Sequence, residues 1–335
     1  MRMIADLPHK KLSHKAITKK NKGYNDMTNF TNTPDIENFL DRIAGINNPV
    51  ATGDLRTKKI IRKIVSDCFN TIDEFDVTPD EFWKTLNFLA AGSQEIGLWA
   101  AGLGFEHFLD LLEDDRDKKA GIVHGTPRTI EGPLYVAGAP IVESGARLDD
   151  ESDHGEQLIV HGCVSDIHGN PVNDAIIHVW HANTKGNYSF FDKTQSDYNI
   201  RRRIKVDKKG NYLFYSIMPS GYACPSGGST EAILSSIGRH GERPAHIHFF
   251  VEAQGYKHLT TQINIEGDPF IYDDFAYATR EGLIPPVIRH SKKEDIKAAG
   301  LNEPYAEIVF DFVLTPAQKP VDEKWSSRPR ISPEK

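Results

Sequence analysis

Cysteine is scarce. Cys68, Cys163 and Cys224 are the only three in 335 residues, and no two stand at metal-binding or redox spacing. That excludes a disulfide scaffold, a thiolate zinc site and a Cys-x-x-Cys redox centre, and it fits a reducing cytoplasm. No apolar run reaches membrane-spanning length, because charges interrupt the longest ones. A glycine-rich phosphate loop, an internal repeat and a Ser-His-Asp signature are all missing. So is an excess of positive charge: 40 Lys and Arg stand against 47 Asp and Glu, a formal net charge of −7. That balance argues against nucleic acid as the main partner. What remains is an ordinary globular composition, 39% hydrophobic and 26% charged, in a chain long enough for one large domain or two smaller ones.

Residues 1–30 differ from the rest. Lys10, Lys11, Lys15, Lys19, Lys20 and Lys22 crowd a segment with few large apolar residues. It lacks the apolar stretch of a secretory signal and reads as a mobile basic extension. From Pro34 to about Lys118 the pattern is helical. Thr33-Pro34 offers a cap with proline at the first helical position, and Ile36, Phe39, Leu40 and Ile43 follow at helical spacing. Ile60, Ile61, Ile64, Cys68, Phe69 and Ile72 mark a second amphipathic helix, and Thr78-Pro79-Asp80-Glu81 is a capping box for a third. Residues 94–113 read as a fourth helix, weakened by Gly102 and Gly104.

Near residue 120 the period changes to short β-patterned runs between Gly, Pro, Asn and Asp punctuation. Leu158–Val164, Ala175–Trp180, Tyr212–Ser216, Ile247–Val251, Thr260–Ile265 and Ile308–Leu314 are the expected strands. The fold class is therefore α+β, a helical domain over 31–120 followed by a mostly antiparallel β-sandwich over 121–318 and a tail over 319–335.

Inside that β region lies Arg243-Pro244-Ala245-His246-Ile247-His248-Phe249-Phe250-Val251. On a strand, residues i and i+2 share a face, so both imidazoles reach toward one point. Two readings stay open from this motif alone: a hydrogen-bonded pair in the core, or two ligands of a transition metal. Two Gly-punctuated segments accompany it, one carrying Tyr188 in WHANTKGNYSFFD and one carrying Tyr222 in PSGYACP. Each tyrosine alone reads as a half-buried aromatic in a loop of the kind where function concentrates.

Taken together, these residues resemble the intradiol ring-cleaving catechol dioxygenases. The resemblance runs from about residue 34 to 315. It is densest in TIEGPLYVAGAP from Thr129, in the Tyr188 segment, in Gln195–Arg203, in Gly238–Val251, in LTTQIN from Leu259 and in Asp273-Asp274-Phe275-Ala276. It implies one non-haem Fe(III) per subunit, bound by Tyr188, Tyr222, His246 and His248. It also implies cleavage of a catechol by O2 between the two hydroxylated carbons, to cis,cis-muconate. Phenolates are hard anionic donors that favour ferric over ferrous iron, whereas thiolates would suit a softer metal. Arg243 and Gln262 take catalytic roles by the same resemblance; without it they read as a surface salt bridge and a strand-side amide. The resemblance also implies that Tyr222 is the ligand that leaves when substrate chelates the metal.

The implied pocket walls are Leu98, Ala101, Ile130, Pro133, Leu134, Phe275 and Ala276, mostly apolar as a flat aromatic ring requires. Ala101 stands where members of the family often carry proline, which bears on substrate size. His161, His178, His240 and His258 read as structural. The resemblance further implies a homodimer through the helical domain, with a lipid at the interface in some members. Members that prefer hydroxyquinol or chlorinated catechols share the same iron set; the Leu134-Tyr135 pair favours plain catechol. Outside enzymes, the alternative is a binding module in which the tyrosines and the His-x-His pair simply pack together.

Overall fold

A computed structural model of the chain describes residues 30–46, 52–150 and 152–320, with Asp322, Trp325, Ser327, Arg328 and Arg330. The basic extension, apart from Phe30, and most of the tail lie outside the described residues. The chain divides into two compact units, Met1–Asn87 and Phe88–Lys335. The change from helix to strand falls later, after Lys119.

The first unit contains α1 (Pro34–Ile43), α2 (Leu55–Glu74) and most of α3 (Pro79–Ala91). Pro34 does open α1, but the Thr33 hydroxyl donates to the Phe30 carbonyl at 2.9 Å and caps nothing. Arg62 of α2 ties the two helices by pairing with Glu37 and Asp41, each at 2.5 Å. The capping box at α3 is formed: the Thr78 amide donates to Glu81 Oε2 at 2.9 Å, and the Glu81 amide to Thr78 Oγ1 at 3.3 Å. That reciprocal pair satisfies two of the donors a helix start leaves bare.

The second unit opens with α4 (Ile96–Gly102) and α5 (Phe105–Lys119). A single helix over 94–113 was expected; it is broken at Gly104, whose φ of 78° lies in the left-handed region that glycine adopts without strain. The strands then follow as β1 (Ile141–Glu143), β2 (Ala146–Arg147), β3 (Gln157–Asp166), β4 (Ile176–His181), β5 (Arg201–Lys205), β6 (Asn211–Ile217) and β7 (Tyr222–Ala223). After α6 (Ser229–Ser236) come β8 (Glu242–Arg243), β9 (His246–Glu252), β10 (Leu259–Asn264) and β11 (Ile288–His290). Helix α7 (Lys293–Ala298), β12 (Tyr305–Val309) and β13 (Phe312–Leu314) complete the order.

One sheet runs β1-β5-β4-β9-β10 and the other β11-β12-β3-β6-β2, with β13 also on β3. The central ladders β4–β5, β4–β9, β9–β10 and β3–β6 are antiparallel; β1–β5, β2–β6, β12–β3 and β13–β3 are parallel. The run expected as one strand over 308–314 is interrupted at Phe310-Asp311. There the Phe310 carbonyl sits against Gly162, where a Cβ would fall 1.9 Å from that oxygen, and Asp311 Oδ1 takes the Cys163 amide at 2.8 Å. A side chain replaces one rung of the ladder. Strand β5 was not expected, because Arg201-Arg202-Arg203 carries no apolar alternation.

The core between the sheets is built from alternate residues. Ile177 and Val179 of β4, Ile247, Phe249 and Val251 of β9, and Ile263 of β10 meet Val160 and Val164 of β3, Phe214 of β6 and Ile308 of β12. Among the described residues, no helix is long and apolar enough to cross a membrane.

Asp110 of α5 is the acid that this unit satisfies least. Its Oδ2 is buried without a partner, beside a cavity of about 1020 Å³ also lined by Asp114, Arg128, His258 and Arg280. Burial raises its carboxyl from 3.8 to about 7, against the pull of Arg280 and Arg128. A pKa raised on folding gives stability that is complete below the unfolded value and is lost as pH rises through the folded one. Asp110→Asn is therefore expected to melt several degrees above the wild type at pH 8 and alongside it at pH 4. A gap in melting temperature that does not widen over that range contradicts this.

Candidate metal centre

The site is built on the face of β9 opposite the core. Because Ile247, Phe249 and Val251 point between the sheets, His246 and His248 point outward. All but the last residue of β9 is buried, so this outer face is covered as well. In the register, His248 stands between Trp180 of β4 and Gln262 of β10, and His246 opposite Asn264. The Trp180 and His248 rings stack with centroids 4.8 Å apart and planes 5° from parallel, which fixes the imidazole.

Two loops bring the tyrosines to this face. After β4 the chain turns through Asn183, whose Oδ1 accepts the amides of Lys185 and Asn187 at 3.0 and 2.9 Å, and delivers Tyr188. Gly186 lets this turn pass close to the second loop. It has φ 78°, and a Cβ there would fall 2.8 Å from Tyr222 Cβ. Tyr222 itself lies on β7, paired in register with Arg243 on β8. The two tyrosine rings meet edge to face with centroids 5.5 Å apart.

The polar atoms converge. His246 Nε2 lies 3.3 Å from the Tyr188 hydroxyl and 3.0 Å from His248 Nε2, and Arg243 Nη1 donates to it at 3.0 Å and to the Tyr222 hydroxyl at 3.4 Å. His246 Nδ1 is 2.6 Å from the Pro244 carbonyl, so its proton sits there and the Nε2 lone pair faces the cluster. Burial, and next the Arg243 charge, press the His246 pKa down to about 3. Burial and the neighbouring His246 hold His248 well below the usual range. Both imidazoles are thus neutral. Tyr188, fully buried, is pushed well above the usual phenol value by burial and by Tyr222, while Tyr222 is only half-buried.

Arg243 is 3% exposed and Gln262 is fully buried. Asp274 holds Arg243 in a fork, with Nε to Oδ1 and Nη2 to Oδ2 both at 3.1 Å, and the Gln262 carbonyl oxygen accepts Nη2 at 2.9 Å. Burial alone would raise the Asp274 carboxyl, but Arg243 overrides it and holds it below the ordinary value. A second guanidinium, Arg201 of β5, is 1% exposed and sits 5.7 Å over the Tyr188 ring. Burial lowers its pKa to about 10.

Of the expected walls, Leu98, Ala101, Ile130, Phe275 and Ala276 pack into one apolar cluster, joined by Cys224 and Leu234. Leu134 packs with Tyr135, Trp180 and Tyr188, and Pro133 lies against Gly97 of α4. A Cβ on Gly132 would fall 3.9 Å from His248 Cε1, and the Gly132 amide donates to Glu106 Oε2 at 3.3 Å. The same carboxylate accepts Arg328 at 2.8 Å, and Glu131 accepts Arg330 at 2.7 Å, so the C-terminal segment clamps this wall. Asp274 and Arg201 were not singled out from sequence; Asp274 stood beside Asp273 in a quoted segment, and nothing distinguished the two. His178, read as structural, is held by the Tyr135 hydroxyl at 3.0 Å and by Glu252 at 3.1 Å.

Residues 130–316 match the family model described as Dioxygenase, and residues 54–121 match Catechol dioxygenase N terminus. The chain belongs to the intradiol dioxygenase family. It is 48% identical over 306 residues to the catechol 1,2-dioxygenase of Acinetobacter baylyi, covering 90% of this chain and 98% of that one. It is 56% identical over 243 residues to catechol 1,2-dioxygenase 2 of Acinetobacter lwoffii, covering 72% and 88%. The crystal structure of catechol 1,2-dioxygenase from Pseudomonas arvilla C-1 superposes with a TM-score of 0.87 at 48% identity, covering 92% and 100%. A chlorocatechol 1,2-dioxygenase of Cupriavidus pinatubonensis is more distant, 32% identical over 78% of this chain. Family membership implies a metal cofactor.

Removing the Asp274 charge leaves Arg243 buried without its counter-ion, a loss on the order of 3–5 kcal/mol for a broken buried pair. Asp274→Asn is expected to lower unfolding stability by that order in urea. Asp273→Asn, at an 81% exposed side chain, is expected to change it by under about 0.5 kcal/mol. Equal effects of the two contradict the assignment.

Proposed function

We propose that Tyr188, Tyr222, His246 and His248 hold one Fe(III), and that the chain uses it to cleave catechol with O2 between the hydroxylated carbons, giving cis,cis-muconate. The observation that carries this reading is the convergence of two phenol oxygens and two imidazole Nε2 atoms on one buried point. No carboxylate or thiolate joins them: among the described residues, no group of three or more His, Cys, Asp or Glu side chains is placed to hold a metal.

The donor set fits the ion. His246 turns a lone pair inward, and His248 Nε2 lies 3.0 Å from it. With its proton on Nε2, His248 competes with Arg243 Nη1 for that one lone pair; with its proton on the buried, unpartnered Nδ1, it faces it with a second lone pair. A cation held by both Nε2 atoms removes that conflict. Tyr188 is buried where a phenol keeps its proton unless a cation stands beside it. Two phenolates and two neutral imidazoles make a hard, anionic set suited to ferric iron.

When bound, the ferric ion supplies Lewis acidity that draws electron density from a chelated catechol ring. The protein supplies the rest. Tyr222, the less buried of the two tyrosines, would be the metal-holding residue able to move aside, its phenol oxygen accepting a proton from the arriving diol. The Arg243 guanidinium, oriented by Asp274 and Gln262, places a fixed positive charge where negative charge builds on the ring carbon. Ile130, Phe275 and Ala276 exclude water and hold the ring flat. The greater likeness to catechol than to chlorocatechol enzymes supports plain catechol as substrate.

Exposed apolar side chains on α5, Phe105, Phe108 and Leu109, support a homodimer through the helices. Three free thiols support a cytoplasmic setting.

Oxygen uptake with catechol is expected to yield cis,cis-muconate, faster than with 4-chlorocatechol or hydroxyquinol. A yellow semialdehyde product, which marks cleavage outside the diol, would contradict the reading. The iron-loaded protein is expected to be wine-red from phenolate-to-iron charge transfer, with the colour weakened in Tyr188→Phe and Tyr222→Phe. A colourless protein with stoichiometric iron would contradict the ligand set.

A further inference from the structure

Two guanidiniums are buried at this site, and they are held differently. Arg243 has a carboxylate, Asp274, in bidentate contact. Arg201 has none. Among the described residues its three nitrogens donate to Ser189 Oγ at 2.9 Å, the Ser189 carbonyl at 3.1 Å and the Leu134 carbonyl at 2.8 Å. A cation that is 1% exposed and paired only with neutral oxygens is costly, because a buried charge without a counter-ion forfeits its hydration for little return. A negative group nearby would offset that cost. The groups that bear on it electrostatically are Tyr188, Tyr135 and Tyr198, and the Tyr188 ring lies under its guanidinium at 5.7 Å.

The three contacts also form a bracket. Ser189 follows Tyr188 directly, and its hydroxyl donates onward to the Asn199 carbonyl at 2.6 Å. Leu134 lies on the wall expected to face substrate and packs in the same apolar cluster as Tyr188. One side chain thus fastens the loop that delivers a proposed ligand to the wall that receives the ring.

We propose that Arg201 is a positioning residue for this reaction, serving as counter-charge to the metal-bound Tyr188 phenolate and fixing the Tyr188 loop to the Leu134 wall. The proposal rests on the reading of Tyr188 as a ligand. A positive charge over a phenolate lowers the energy of its electrons, so moving one of them to the metal takes more energy. Removing that charge makes the transfer easier and shifts the absorption to longer wavelength. Losing the fork, with or without the charge, frees the wall and weakens substrate binding.

The test compares the iron-loaded wild type with Arg201→Gln and Arg201→Lys, reading the visible charge-transfer maximum and the kinetic constants for catechol. Arg201→Gln is expected to move the maximum to longer wavelength. Arg201→Lys, which keeps the charge without the fork, is expected to move it less. Both are expected to raise KM about tenfold, with a smaller change in kcat in the lysine variant. A folded, iron-replete Arg201→Gln with an unmoved maximum overturns the proposal. Should that variant not fold, an unchanged maximum together with an unchanged KM in Arg201→Lys overturns it. An iron-loaded wild type without any charge-transfer band overturns the ligand reading as well.

Discussion

The structure depends on one strand being buried on both faces. Ile247, Phe249 and Val251 of β9 lock into the sandwich core, and that alternation forces His246 and His248 onto the opposite face. A slip of one residue would put the imidazoles into the core and the apolar side chains into the site. Such a slip would exchange every contact at once, so the strand has a single tenable register. The stacking of Trp180 on His248 and the cross-strand placement of Gln262 follow from it, because β4 and β10 flank β9 in fixed register. The sandwich is the scaffold, and its outer face carries the chemistry.

Charge is the second constraint. Among the described residues, the site buries two guanidiniums, two imidazoles and a phenol, and the carboxylate bonded to one of these groups is Asp274. That carboxylate is spent on Arg243, which leaves the tyrosine oxygens as the remaining groups able to carry negative charge. The neutral imidazoles follow from burial beside Arg243. An arrangement short of anions but rich in phenols has its charges balanced when a highly charged cation draws the phenols into phenolates. That balance of charges supports the proposed ferric ion.

Much of this was legible in the sequence, because local chemistry decided it. The capping box at Thr78 and the alternation through Ile247–Val251 are short-range features that one stretch of chain specifies alone, whereas the glycines of 94–113 were read as weakening one helix and in fact divide it into two. The His-x-His pair alone left two readings open, and only the family resemblance joined it to the two glycine-flanked tyrosines. What escaped was long-range. Strand β5 opens on three successive arginines, its pairing is set by β4 and β1, and Arg201 is buried by its neighbours rather than by its own pattern. Asp274 could not be told from Asp273 until the fork to Arg243 appeared. The Phe310-Asp311 interruption depends on Gly162, some 150 residues earlier, making room for a carbonyl. Clamping of the Glu131 wall by Arg330 likewise joins residues with no local signal.

The central claim is that two phenolates and two imidazoles hold the iron ferric at rest. Low-temperature electron paramagnetic resonance of the purified holoprotein, with metal analysis on the same sample, tests it most directly. The account predicts a high-spin ferric signal that accounts for one iron per chain and changes shape when catechol is added without O2, without conversion to ferrous iron. An iron-replete protein that is silent as isolated, and becomes ferric only after an oxidant is added, would contradict it.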